Sequence, residues 1–168
     1  MLDVWARKKK SDHALLSVYL RPDAFYVVAY GTTSTGLWSY SGAPAVTLGL
    51  DCSASQLGEA VVEALSLSPV ALRHPTDQTE WTAHRRQALT PLQRQAGVRS
   101  WRAFLSPAKV VHVHRQGATV TVTPYQPDPK RRDAEMSVEE HAVTLTAPDA
   151  QALGSAIETA LTHARSYS

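Results

Sequence analysis

Residues 57–65 read LGEAVVEAL and residues 153–161 read LGSAIETAL, so one template, Leu-Gly-x-Ala-(Val/Ile)-x-x-Ala-Leu, is written twice in a chain of 168 residues. Leu57, Ala60, Val61, Ala64 and Leu65 recur at i, i+3, i+4, i+7 and i+8, and Leu153, Ala156, Ile157, Ala160 and Leu161 repeat that stripe. A stripe of this period is the buried face of an amphipathic helix. Ser53 and Asp149 stand four residues ahead of the two leucines, in matched N-cap positions, and Ser53 with Gln56 fits a capping box. Gly58 and Gly154 fill the same place in both helices. Glycine inside a helix costs about 1 kcal/mol relative to alanine. Its use at both positions predicts a close backbone approach, each helix lying flat on its own sheet with no room for a Cβ.

Both copies have the same surroundings. Residues 45–48 and 142–145 both read AVTL and are expected as short third strands. Further upstream lie two hairpin-like segments, residues 15–30 and 109–124. In the second, β-branched alternating runs at 110–114 and 119–123 meet across Gln116-Gly117, where glycine tolerates the positive φ of a tight turn. In the first, runs at 15–20 and 25–30 meet across Pro22-Asp23. The unit is strand–strand–irregular–strand–helix, present over residues 14–66 and 108–162, with a helical or irregular connector at 67–107. The expected fold class is α+β: two pseudo-repeated β-hairpin–strand–helix units in approximate two-fold relation, forming antiparallel sheets with helices packed on them. Periodicity leaves open whether the sheets merge or curl into a half-barrel. A single domain over 1–168 suits the length, because two domains would have roughly 80 residues each and marginal cores.

In the connector, Thr90 reads as an N-cap with Pro91 at the first helical position, and Gly97 as the end of that short helix. Ser100 opens a further turn or two, terminated by Pro107. Residues 74–86 are polar and read as a loop leading into helix. Two irregular segments, 31–44 and 126–140, interrupt the units at comparable places and sit on the scaffold where binding surfaces usually lie.

Composition and motifs restrict the chemistry. Seventeen basic and 15 acidic residues leave a net charge of +2, and 43% of residues are hydrophobic. No strong field steers the chain toward nucleic acid or acidic lipid. A lone cysteine, Cys52, allows no internal disulfide and fits a reducing compartment; it stands at a helix start, where burial as a small apolar residue is preferred over a nucleophilic role. The basic run at residues 7–10 is followed by Asp12 and His13, so no signal-peptide core forms, and no apolar run nears the ~20 residues that span a bilayer. The cytoplasm is the expected compartment. No phosphate loop, dinucleotide fingerprint, nucleophile elbow or HExxH helix occurs. His112 and His114 share one face of a strand and could start a metal site, but without further ligands they read as solvent-facing positions alternating with Val111 and Val113. No enzyme activity, metal or cofactor is expected. Basic clusters at 7–10, 85–86 and 130–132 leave a small RNA- or DNA-binding accessory protein as the alternative, although acidic residues nearly cancel their charge.

The run from Ala96-Gly97 through Trp101-Arg102-Ala103-Phe104, the 109–123 hairpin ending at Pro124, then AVTL and LGxAIxxAL, resembles one family of contact-dependent growth inhibition (CDI) immunity proteins. The earlier Leu57–Leu65 segment matches as well, so the resemblance covers roughly residues 14–165. It implies a cytoplasmic protein that binds the toxic C-terminal domain of a neighbour's cell-surface effector, in many cases a nuclease and in several a transfer-RNA-cleaving one. It would act by covering the toxin's active site. The partner is then a protein; no membrane contact is implied and nucleic acid is disfavoured. Inhibitors of basic nucleases are commonly acidic, whereas this chain is slightly basic. Either the toxin-facing surface is locally acidic, with Asp128, Asp133, Glu135, Glu139 and Glu140 as candidates, or recognition is mainly polar and aromatic, with Trp38, Tyr40 and Trp81 of the irregular stretches as candidate anchors.

Overall fold

The computed structural model describes residues 12–131 and 134–167. Strand β1 (His13–Leu20) turns through Arg21–Ala24 into β2 (Phe25–Thr33), and β6 (Lys109–Gln116) turns through Gly117 and Ala118 into β7 (Thr119–Pro127). Gly117 has φ of +60°, as expected of glycine leading a two-residue hairpin loop. The two hairpins merge, because β1 pairs antiparallel with β6 along its whole length, Leu16 opposite Val113 and Val18 opposite Val111. The AVTL segments add strands at the two flanks: β4 (Val46–Leu48) pairs with β2, and β9 (Val143–Thr146) with β7. Residue by residue the flanks correspond, Phe25 facing Leu48 on one side and Val120 facing Leu145 on the other.

Both long strands outrun this shared sheet. Beyond Ala29, β2 leaves β1 and is gripped by β3 (Trp38–Tyr40) and by β5 (Val70–Leu72), which runs parallel to it. Beyond Pro124, β7 leaves β6 and pairs with β8 (Glu135–Ser137). Two arms therefore project from opposite ends of the β1–β6 pair, β2 past the His13 end of β1 and β7 past the Lys109 end of β6. Each arises inside a segment that its composition marks as irregular, at 31–44 and at 126–140.

Helix α1 (Ala54–Leu67) begins at Ser53, whose Oγ accepts from Gln56 N (3.1 Å) while Gln56 Oε1 accepts from Ser53 N (2.8 Å). Helix α4 (Ala150–His163) begins at Asp149, which accepts from Ala152 N (2.7 Å). Each packs on its own hairpin, with Leu57, Val61, Leu153 and Ile157 fully buried against Leu16, Val18, Val111, Val113 and Val122. The glycines do something other than expected. A Cβ on Gly58 would stand 1.8 Å from the Ala150 carbonyl oxygen, and one on Gly154 would stand 1.7 Å from that of Ala54. The close approach is between the two helices, not between helix and sheet: their N-terminal turns cross backbone to backbone.

The opposite face of the sheet is covered by α2 (Gln78–Gln95) and α3 (Trp101–Leu105), which enclose Tyr19, Tyr26, Val28, Leu92, Phe104 and Val110. The stretch 74–86, expected as a loop leading into helix, turns helical already at Gln78, and the expected helix start at Thr90 is corrected. Helix α2 is continuous from Asp77, which accepts from Glu80 N (2.8 Å), and Pro91 lies inside it. Proline removes the N–H that would meet the Gln87 carbonyl. Gln87 is exposed, so water can satisfy that group, and Thr90 Oγ1 donates to the Arg86 carbonyl (2.6 Å). Arg21 ties α3 to the first hairpin: its guanidinium bonds Asp23 and the Ala103 and Phe104 carbonyls, and lies 4.8 Å over the Phe104 ring.

Candidate functional site

Between the two arms opens a cleft of about 1080 Å³. Tyr30, Trp38, Ser39 and Tyr40 form one wall, Pro127, Asp128 and Arg131 the other, and α2 and α3 close the back with Trp81, Arg85, Arg86, Leu89, Trp101 and Arg102. Tyr167 lies at its margin. Its two side walls are carried by the parts of β2 and β7 that run past their pairing with β1 and β6, and by the strands and loops that follow them. Of the residues of α2 only Leu89 and Leu92 are buried, and its arginines lie on the cleft lining.

The floor is a buried network of aromatic and polar groups on the same strands. Ser17, fully buried, donates to Tyr30 Oη (2.9 Å), and Tyr30 stacks on Tyr40 with ring centroids 5.0 Å apart. Tyr40 Oη lies 3.2 Å from Tyr19 Oη, and the Tyr40 ring meets Trp101 edge-on. Burial raises the pKa of all three tyrosines, so they remain neutral donors. On the β7 side His112 stacks on Tyr125 at 4.0 Å, with its Nε2 3.7 Å from Glu135 Oε2. That separation is too long for a hydrogen bond. Burial holds His112 down at about 4 and pushes Glu135 up to about 7. Near neutrality the histidine is uncharged and the carboxylate has no counter-charge from it.

His112 therefore departs from the expectation of two solvent-facing histidines: its ring is packed under Tyr125 because this face, too, is covered. His114 is more open and stacks on His13 (5.4 Å). Ser17 faces His112 across the strands, yet its hydroxyl donates to Tyr30, so these groups do not form a nucleophile–base pair. Among the described residues, no group of three or more His, Cys, Asp or Glu stands together as a metal site would require. Cys52 is partly buried against the α1/α4 core, and burial with Glu158 and Asp51 nearby raises its thiol pKa.

Of the residues expected to bind a partner, Trp38, Tyr40, Trp81 and Asp128 are brought together in the cleft. Asp128 accepts from Arg131 Nε (2.8 Å), a bond that, with the Lys130 amide, keeps its carboxyl below the ordinary range. Glu135 lies beside His112 beneath the cleft, and Glu139 and Glu140 are exposed on a 3-10 turn (Glu139–His141) that does not line it. Asp133 falls outside the described residues, as does the basic run 7–10. Of the described acidic candidates, only Asp128 lines the cleft. The cleft is lined by arginines instead, and the tyrosine network beneath it is legible only once cross-strand neighbours are known.

Two solved structures share this architecture. One is described as a protein of unknown function, NMB0488 from Neisseria meningitidis; it aligns with a TM-score of 0.75 at 15% identity over 91% of this chain and 96% of its own. The other is a CdiA-CT/CdiI toxin and immunity complex from Yersinia pseudotuberculosis, with a TM-score of 0.69 at 18% identity over 91% of this chain and 98% of that chain. No curated protein matches the chain. The family model CdiI, described as CDI immunity protein, matches residues 15–166, from the third residue of β1 to the segment after α4. The chain belongs to the CDI immunity protein family.

Proposed function

We propose that this protein binds the toxic C-terminal domain of its cognate CDI effector and neutralises it by covering the toxin's active site, without turnover. The observation that carries the reading is the cleft between the strand arms, where Trp38, Tyr40, Trp81 and Asp128 converge on a packed scaffold in a member of this family. Aromatic side chains with arginines beside them are the groups that most often dominate binding energy at protein interfaces. A specific complex would bury on the order of 1,200–2,000 Å² in total. On this reading the toxin is a nuclease, with transfer RNA as the first substrate to examine, and the site of action is the cytoplasm. In keeping with that compartment, no described helix is long and apolar enough to cross a membrane.

The test is co-expression and pull-down with the toxin domain encoded immediately upstream. Recovery of a stoichiometric complex and restored growth are expected; neither binding nor rescue would remove the proposal. Incubating the toxin with purified transfer RNA, with and without this protein, examines the finer reading. Cleavage that ceases on complex formation supports it, and an intact substrate in both lanes overturns the transfer-RNA assignment alone.

A further inference from the structure

The geometry points to the cleft as the docking groove for an acidic segment of the toxin domain, its carboxylates held by Arg85, Arg86 and Arg102 and its apolar side chains seated on Trp38, Trp81 and Trp101. This inference rests on the immunity reading and supplies the chemistry of the surface that reading uses. All three arginines are exposed, and none makes an ion pair with another described residue. Asp128, the carboxylate in the cleft wall, is already engaged by Arg131. The concavity thus carries an excess of positive charge in a chain whose total is only +2. A recess lined by one sign of charge focuses its field and speeds the approach of the opposite sign. Guanidinium groups match carboxylates in a two-point geometry that a lysine lacks.

The sign is the reverse of the acidic toxin-facing surface expected for an inhibitor of a basic nuclease. A protein segment fits better than nucleic acid. Nucleic-acid readers generally carry a basic stripe along an open face. Here the cations line a walled recess of about 1080 Å³, just above the ~300–1,000 Å³ range of ligand pockets and so able to take several side chains.

The decisive measurement is the association rate with the purified toxin domain at 50 and 500 mM NaCl. For Arg85→Glu/Arg86→Glu we expect association slowed by about tenfold or more and affinity weakened on the order of 100-fold. Arg85→Gln/Arg86→Gln should flatten the salt dependence. Both residues are solvent-exposed on α2, so the melting curve should be unchanged. The matched reversal Glu59→Lys/Glu63→Lys, on the exposed side of α1, should leave the rate within about twofold. If the wild type binds its toxin but reversal in the cleft leaves association unchanged or accelerates it, the groove assignment is overturned while the immunity reading stands. If the wild type fails to bind at all, both fall. A labelled 20-nucleotide oligouridine that binds at low salt and is lost in the reversal variant, with toxin affinity retained, would make the cleft a nucleic-acid groove and overturn the proposal.

Discussion

The two faces of the central sheet are built on different terms. On the α1/α4 face, β1, β2, β6, β7 and the flanking β4 and β9 supply apolar residues, the two helices repeat one stripe, and the flanking strands correspond position by position. On the α2/α3 face the halves diverge. Tyr26, Val28 and Tyr19 on β1 and β2 lie under Phe104 and Leu92, while the equivalent side of β7 carries Thr121 and Thr123 with only partial cover. Both long strands carry a tyrosine where they leave the shared sheet, Tyr30 and Tyr125, but β3 faces the first with Tyr40 and β8 faces the second with Ser137. One face is constrained by packing alike on both sides. The other has been freed to differ, and the cleft opens where it differs most.

The strongest way to break this comparison is at the helix crossing. Gly58→Ala removes roughly 1 kcal/mol of helix-propensity cost but drives a methyl into the Ala150 carbonyl oxygen, which is backbone and cannot rotate away. We expect a net loss of about 3 kcal/mol in urea unfolding. The reciprocal Gly154→Ala presses on Ala54 at the same crossing. Once one substitution has separated the helices, the second should cost less than half as much as it does alone. Stabilisation by either alanine would mean that the glycines are merely tolerated.

A smaller effect sharpens the other side. Burial raises the Glu135 carboxyl from 4.5 to about 7. The raised folded-state pKa means that its contribution to stability is complete below about 4.5, where the carboxyl is protonated in both states. That contribution is lost as pH climbs through about 7. Glu135→Gln abolishes the loss. The variant should match the wild type near pH 4 and exceed it by about 2 kcal/mol at pH 8, after allowing for the remaining solvent access of the side chain. His112 works in the opposite sense: burial depresses it from 6.5 to about 4, so its contribution is present above 6.5 and lost as pH falls toward 4. In Glu135→Gln only that slope remains on the acid side. Denaturant melts of both proteins at pH 4, 6 and 8 are sufficient, and an equal gap at all three would refute the assignment.

These contrasts explain what could be read in advance. The stripe at Leu57–Leu65 and its partner at Leu153–Leu161 specify helix, face and cap together, because a buried amphipathic helix states its period in apolar residues. Helix α2 states nothing comparable. Only Leu89 and Leu92 of its residues are buried, and Pro91 reads as a beginning until Asp77 is seen to hold the true one. Strands β3, β5 and β8 have three residues each, too few to show an alternation. Of the site, Trp38, Tyr40, Trp81 and Asp128 were visible as unusual residues in polar stretches. The network of Ser17, Tyr19, Tyr30, His112 and Tyr125 was not, because alternation tells which side of a strand a residue occupies and leaves unsaid whether anything covers it. The arginines of α2 are exposed, as a basic pair in a polar stretch suggests, and only the fold shows that they line the cleft.

The least expected change closes the comparison. Thr121 on β7 lies opposite Thr144 of β9, with hydroxyl oxygens 3.4 Å apart at an exposed position. Its counterpart across the molecule, Tyr26 on β2, is buried against Phe104. If the β7 half of this face is solvated, Thr121→Val should alter stability by less than ~0.5 kcal/mol, because the weak hydroxyl contact is replaced by water and the β-branched shape is kept. Tyr26→Ala, by contrast, leaves a cavity under α3 and should cost about 3–5 kcal/mol. The ratio of the two effects, measured by urea melts under one buffer, reports how unequally the face is covered. Comparable losses would mean that something packs over Thr121 as closely as α3 packs over Tyr26, and the asymmetry that opens the cleft would then need another cause.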